Sequence, residues 1–253
     1  MAHWLCEDAP VELASKDGDN ANDIYPFALD FSLNLIRGNK SLLRCTFTEE
    51  DGDEDVNCAL TLIGSVKQIL GFVSSLVYTK KSQQLNENTV KVAKDRLESI
   101  LADLMETCKG KVDWAGMIVE FLNRADDEGI LNNDVGEDDE LKETKMRSLE
   151  IWSSLYKEIR DDKEKESKGK KKEDADEDRL ETKKRLNNCL VMLFSTGLME
   201  LYGGDPESFG ILSDLISMYD EIKASTNEGI YGDMSNVLNT LVDLMLSYLT
   251  QKS

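Results

Sequence analysis

The chain has 253 residues and carries 30 Lys and Arg against 50 Asp and Glu, a formal charge of −20. Such an excess of acid repels phosphate backbones, because nucleic-acid binding depends on Lys and Arg displacing condensed counterions; direct nucleic-acid binding is therefore not expected. A single histidine, His3, removes most Ser/His, Cys/His and multi-histidine metal chemistry, while 40% hydrophobic residues and only three prolines permit long helices around a buried core.

Apolar residues then recur at helical spacing along most of the chain. Tyr25–Arg37 sets Phe27, Phe31, Leu35, Leu33 and Ile36 around a short helix, with Pro26 in its first turn. Val56–Thr79 is apolar nearly all round, through Leu60, Ile63, Val66, Ile69, Leu70, Val73, Leu76 and Val77, and predicts a helix covered by several neighbours. It is also the nearest approach to a membrane span. Lys67 and Gln68 at its middle favour a buried helix instead, so no membrane partner is expected.

Asn88–Cys108 is amphipathic (Val92, Leu97, Ile100, Leu101, Leu104, Met105) and meets a stop at Gly110. Trp114–Arg124 follows with Met117, Ile118, Phe121 and Leu122, and Asp113 stands as its N-cap. Glu140–Arg160 carries a stripe of Leu149, Trp152, Tyr156 and Ile159. Residues 161–178 hold nine acids and six lysines with no large apolar side chain, which predicts a solvated, disordered link.

After it, Leu186, Leu190, Leu193, Phe194, Leu198 and Leu201 predict a long buried helix over Leu180–Tyr202, ended by Gly203-Gly204. Asp205-Pro206-Glu207 starts another by an Asp N-cap and a Pro at the first helical position, with Phe209, Leu212, Ile216, Tyr219 and Ile222 on one face. Met234–Thr250 is the last. The expectation is an all-α protein of roughly eight helices in antiparallel pairs, an armadillo/HEAT-like helical solenoid with a period of ~40–47 residues, the alternative being an irregular helical bundle. The division is an N-terminal helical-repeat part (1–160), the charged linker (161–178) and a C-terminal helical-repeat part (179–253). The apolar last helix lacks the polar cap that solenoids need, which suggests a segment of a longer array.

No motif assembles a reactive site. Tyr231-Gly232-Asp233-Met234-Ser235 has the outline of a polymerase motif, but that chemistry needs two carboxylates bridging two metal ions and the second position is Ser235. Asp17–Asp23 begins like an EF-hand loop, yet Ala21 takes a ligand place and Asn22 the glycine place, so a solvated linker is the reading. Glu49–Asp55 and Asp134–Glu140 are read as charged loops that keep the chain soluble, the alternatives being weak calcium binding or capture of a basic protein tail. Lys168–Lys172 is a basic run that an import receptor or a phosphate could read, but flanking acids largely cancel its potential, so a solvated charge run is the reading. Trp114, Trp152, Tyr156 and Tyr219 fall on apolar stripes and are read as core. The cysteines Cys6, Cys45, Cys58, Cys108 and Cys189 form no CxxC pair, the N-terminus has no secretory leader, and a reducing compartment, cytosol or nucleus, follows. No catalytic, cofactor-binding or metal-ligating residue is assigned, no cofactor is expected, and the chain is read as not an enzyme.

The run Leu193–Ser208, LFSTGLMELYGGDPES, with Leu212-Ser213-Asp214-Leu215 and the closing Val237–Ser253, VLNTLVDLMLSYLTQKS, resembles the Myb-binding protein 1A family, whose fungal members are named DNA polymerase V or phi. The resemblance is specific over Leu190–Ser253, limited to helix order over Tyr25–Arg37 and Val56–Thr79, and without a motif over 80–175. It implies an armadillo-like array in the nucleus and nucleolus, acting in rRNA production, ribosome assembly and transcriptional co-regulation. The expected partners are basic nucleolar or ribosome-assembly factors and transcription machinery. The resulting reading is a non-catalytic scaffold segment; the alternative is an acidic, chaperone-like binder of basic ribosomal or histone proteins.

Overall fold

The computed structural model describes residues 21–46, 54–108, 112–133, 139–167 and 174–227. Among them are eight α-helices: α1 (Ala21–Gly38), α2 (Lys40–Thr46), α3 (Glu54–Tyr78), α4 (Glu87–Cys108), α5 (Trp114–Asp127), α6 (Asp139–Ser167), α7 (Asp174–Tyr202) and α8 (Ser208–Asn227). A 3₁₀ turn, Lys80–Gln84, follows α3. The described residues contain no strand, only one antiparallel bridge between Thr79 and Leu131. The all-α expectation holds.

Polar pairs between helices give their directions. Lys67 bonds Glu120 while Thr79 meets Leu131, so α3 and α5 run parallel. Asp113 meets Ser195 and Asn123 meets Tyr202, so α5 and α7 are parallel too. Trp152 bonds Ser195 while Glu158 reaches Lys183, which makes α6 and α7 antiparallel. The helices α3, α5 and α7 thus lie side by side, with α6 and α8 packed together against α7. Consecutive α6 and α7 are antiparallel while α3, α5 and α7 are parallel, an arrangement consistent with a helical solenoid or a bundle. The layer-forming helices start at Glu54, Trp114 and Asp174, a longer spacing than the ~40–47 residues expected of HEAT and armadillo units. One continuous set of buried side chains runs from Ala28 to Tyr219.

Several boundaries and faces differ from the sequence reading. α1 begins at Ala21, so Pro26 sits inside it rather than in its first turn, and the EF-hand-like run is already helical from Ala21. Leu29, Leu33 and Ile36 of α1 are buried, whereas Phe27, Phe31 and Leu35 face outward. In α6 the deepest positions are Ser148, Ile151 and Leu155; the expected stripe Leu149, Trp152, Tyr156 and Ile159 is only half-buried. The segment 161–178, expected to be a disordered link, is helical over 161–167 and 174–178, because the sequence there has no proline and only Gly169 to interrupt it; 168–173 lie outside the described residues. Asp205–Glu207 form a hydrogen-bonded turn ahead of α8 instead of its first turn: Asp205 Oδ1 accepts from the Glu207 amide and the Asp205 carbonyl from Ser208 Oγ. His3, Cys6, the basic run Lys168–Lys172, Asp233 and the helix predicted over Met234–Thr250 lie outside the described residues.

Candidate interaction surface

Asp113 ties three helices at one point. As expected of an N-cap, its Oδ1 accepts the Gly116 amide of α5 at 2.9 Å. Its Oδ2 accepts the Tyr156 hydroxyl of α6 at 2.5 Å and the Ser195 hydroxyl of α7 at 2.8 Å. Ser195 Oγ in turn accepts the Trp152 indole N–H at 2.8 Å. Burial, then the neighbouring Asp113 charge, pushes the Tyr156 phenol well above its ordinary range, so it stays a protonated donor. Trp152 and Tyr156 meet edge to face, centroids 4.7 Å apart at 72°. The sequence reading places both in the core; they are half-buried with their polar ends hydrogen-bonded, and the Trp152 ring lines a cleft.

Gly116 makes this possible. A Cβ there would lie 2.3 Å from Asp113 Oδ2 and 2.5 Å from the Tyr156 hydroxyl, so a side chain at this position would push both groups out of their hydrogen bond.

Above the cluster opens a cleft of about 780 Å³ between α3, α5 and α6. Met146, Leu149 and Trp152 supply its apolar surface, and the Lys67–Glu120 pair, 2.6 Å apart, lies on its rim with Arg124 and Glu150. Met146, 53% exposed, also lines a second groove of about 600 Å³ between α6 and α8, where Arg147 bonds Asp220. α6 therefore presents amphipathic surface on both sides. Apolar side chains converge with a few fixed charges there, which suits a protein segment.

A second polar junction holds the opposite end of these helices. Asn132 donates to the Val77 carbonyl and to Ser82 Oγ, while its amide bonds the Tyr78 carbonyl; Asn133 donates to the Tyr202 carbonyl. One loop thus caps the C-termini of α3 and α7. Sequence reading missed this pair of asparagines, whose only signal is their place just after Gly129. It also recognised Asp113 as a cap but not as a hub, since its partners stand 43 and 82 residues away.

Among the described residues, no group of three or more His, Cys, Asp and Glu stands close enough to hold a metal ion. Burial raises the Cys108 and Cys189 thiols, which keeps them protonated.

A family model described as DNA polymerase phi matches residues 65–253. The match includes 80–175, where no motif was legible, and leaves α1 and α2 outside it. No curated protein and no solved structure matches the chain.

Proposed function

The chain belongs to the DNA polymerase phi family, and on that footing we propose that it is a non-catalytic scaffold segment supporting rRNA transcription and ribosome assembly in the nucleolus through protein contacts. Family membership supports a nuclear setting. The observation that carries the scaffold role is the cleft between α3, α5 and α6: apolar side chains are exposed there, α6 is tied to α5 by the Asp113–Tyr156 hydrogen bond, and α3 to α5 by the Lys67–Glu120 pair. A rigid groove loses little conformational entropy when a partner segment enters it. The charge of −20 steers basic partners toward the molecule and raises encounter rates at low salt.

Affinity capture from nuclear extract tests this. The expected result is recovery of RNA polymerase I or ribosome-assembly factors, abolished by Ser153→Arg, which fills the cleft from an exposed position. Recovery of none of these factors by the unaltered chain refutes the role. Replacing the acids of 161–178 with Ser and Gln leaves capture intact if the groove binds; loss of capture would favour the acidic chaperone.

A further inference from the structure

We propose that the groove between α6 and α8 docks a basic, partly apolar segment of another protein, which sets a Lys or Arg between the two helices and an apolar side chain on Met146. The groove holds about 600 Å³, the size of a pocket that receives side chains. Met146 and Ile216 give it apolar surface. Asp139, Glu143, Met146 and Glu150 follow one another a turn apart on one side of α6.

The cations that would neutralise these acids are engaged elsewhere. Arg147, one turn beyond Glu143, is placed to pair with it on the helix, yet it bonds Asp220 of α8 at 3.0 Å and Glu150 at 3.4 Å. Lys145 turns the other way, to Asp126 of α5 at 2.5 Å. On α8, Lys223 lies over the Tyr219 ring. Among the described residues, no ion pair reaches Asp139 or Glu143, nor Asp214 and Glu221, which stand exposed on α8. Of the described residues lining the groove, Lys142 alone is a cation without a carboxylate partner. Asp139 and Glu143 therefore repel each other across one turn, and a cation entering from outside relieves that repulsion.

These free carboxylates select the occupant. The cleft on the other side of α6 has the opposite bias, since Glu120 is paired with Lys67 while Arg124 bonds only the Glu120 carbonyl. A second copy of this chain would bring the same acids, and its own charge of −20, to the groove. Groove and cleft share Met146 and Glu150 but are separable, because Ser153 lines the cleft alone. The role proposed for the cleft can fail without touching this groove.

The test uses the full chain and a labelled synthetic peptide of Lys and Leu, followed by fluorescence anisotropy, with a Glu and Leu peptide for comparison. Saturable binding of the basic peptide is expected, weakened about 10-fold by Glu143→Lys and several-fold by Met146→Ser. Asp95→Lys on α4 makes the same change in net charge and leaves binding unchanged, as does Ser153→Arg. All four positions are exposed, so the variants keep the parent's circular dichroism and melting temperature. No saturable binding overturns the proposal, and so does saturable binding of the acidic peptide. Equal losses in Glu143→Lys and Asp95→Lys would mean that total charge holds the peptide, and a loss in Ser153→Arg would move it to the cleft; either result overturns the groove, as does indifference to Met146→Ser. A photo-crosslinker at position 143 that joins two copies, or joins residues 228–253 of the same chain, gives the groove another occupant with the same consequence.

Discussion

Asp113 and Gly116 are coupled by distance, and their variants separate cap, hydrogen bond and packing. Removing the carboxylate by Asp113→Ala strips α5 of its N-cap and leaves the Tyr156 and Ser195 hydroxyls without their acceptor. The expected cost is about 2–4 kcal/mol in denaturant unfolding. Gly116→Ala drives a methyl into the same carboxylate and phenol, with an expected loss of about 2 kcal/mol or more. Gly64→Ala is the contrast. No atom lies within 4 Å of a Cβ at that exposed helical position, so alanine should raise stability by about 0.5–1 kcal/mol. If Gly64→Ala and Gly116→Ala proved equal in effect, the packing of the Asp113 carboxylate and Tyr156 hydroxyl against Gly116 would be wrong.

Two helices end by the same device, a left-handed residue for which glycine carries no Cβ penalty. At the end of α5, Gly129 takes φ 65°, its amide bonding the Asp126 carbonyl and the Ile130 amide that of Ala125. At the end of α7, Gly204 takes φ 78°, with its amide on the Leu201 carbonyl and the Asp205 amide on that of Glu200. These are Schellman caps. Gly204 is further constrained, since a Cβ would meet the Asn133 amide nitrogen at 2.8 Å. Gly204→Ala should cost about 1–2 kcal/mol from backbone strain. Through displaced Asn133 it should also raise amide exchange at the end of α7, read by hydrogen–deuterium exchange. The α5 cap was invisible to the apolar pattern, which stopped at Arg124. The α7 cap was legible because two glycines follow a long leucine-rich run.

For the molecule as a whole, charge sets the response to pH. Burial alone would raise the Asp103 carboxyl, but hydrogen bonds from Lys40 and Arg37, and their positive charges, hold it below the usual carboxylate range. A carboxyl lowered in the native state stabilises the fold above its unfolded value of ~3.9, and that contribution is lost as pH falls through the native value. Acid should therefore loosen α1 and α2 from α4. Denaturation midpoints measured from pH 7 to pH 3 should fall, and Asp103→Asn should flatten that fall. An unchanged pH profile in this variant would show that the pairs joining α1 and α2 to α4 contribute nothing.

The amino-acid sequence by itself determined the class of fold. Leucine-rich stripes at helical spacing, three prolines and the absence of alternating β-branched runs leave no layout but stacked helices, and the stretch Leu193–Ser208 with Val237–Ser253 was specific enough to point to the family. Periodicity says that a helix has an apolar side; it does not say how wide the covered part of that side is. Only packing decided that Ile151 and Leu155 go inward while Trp152 borders a cleft and Tyr156 is half-buried, or that Phe27, Phe31 and Leu35 remain on the surface. The Asp113 hub and the Asn132–Asn133 junction belong to tertiary structure for the same reason. Their partners are remote along the chain, and a hydrogen bond is set by where folding brings two groups together in space.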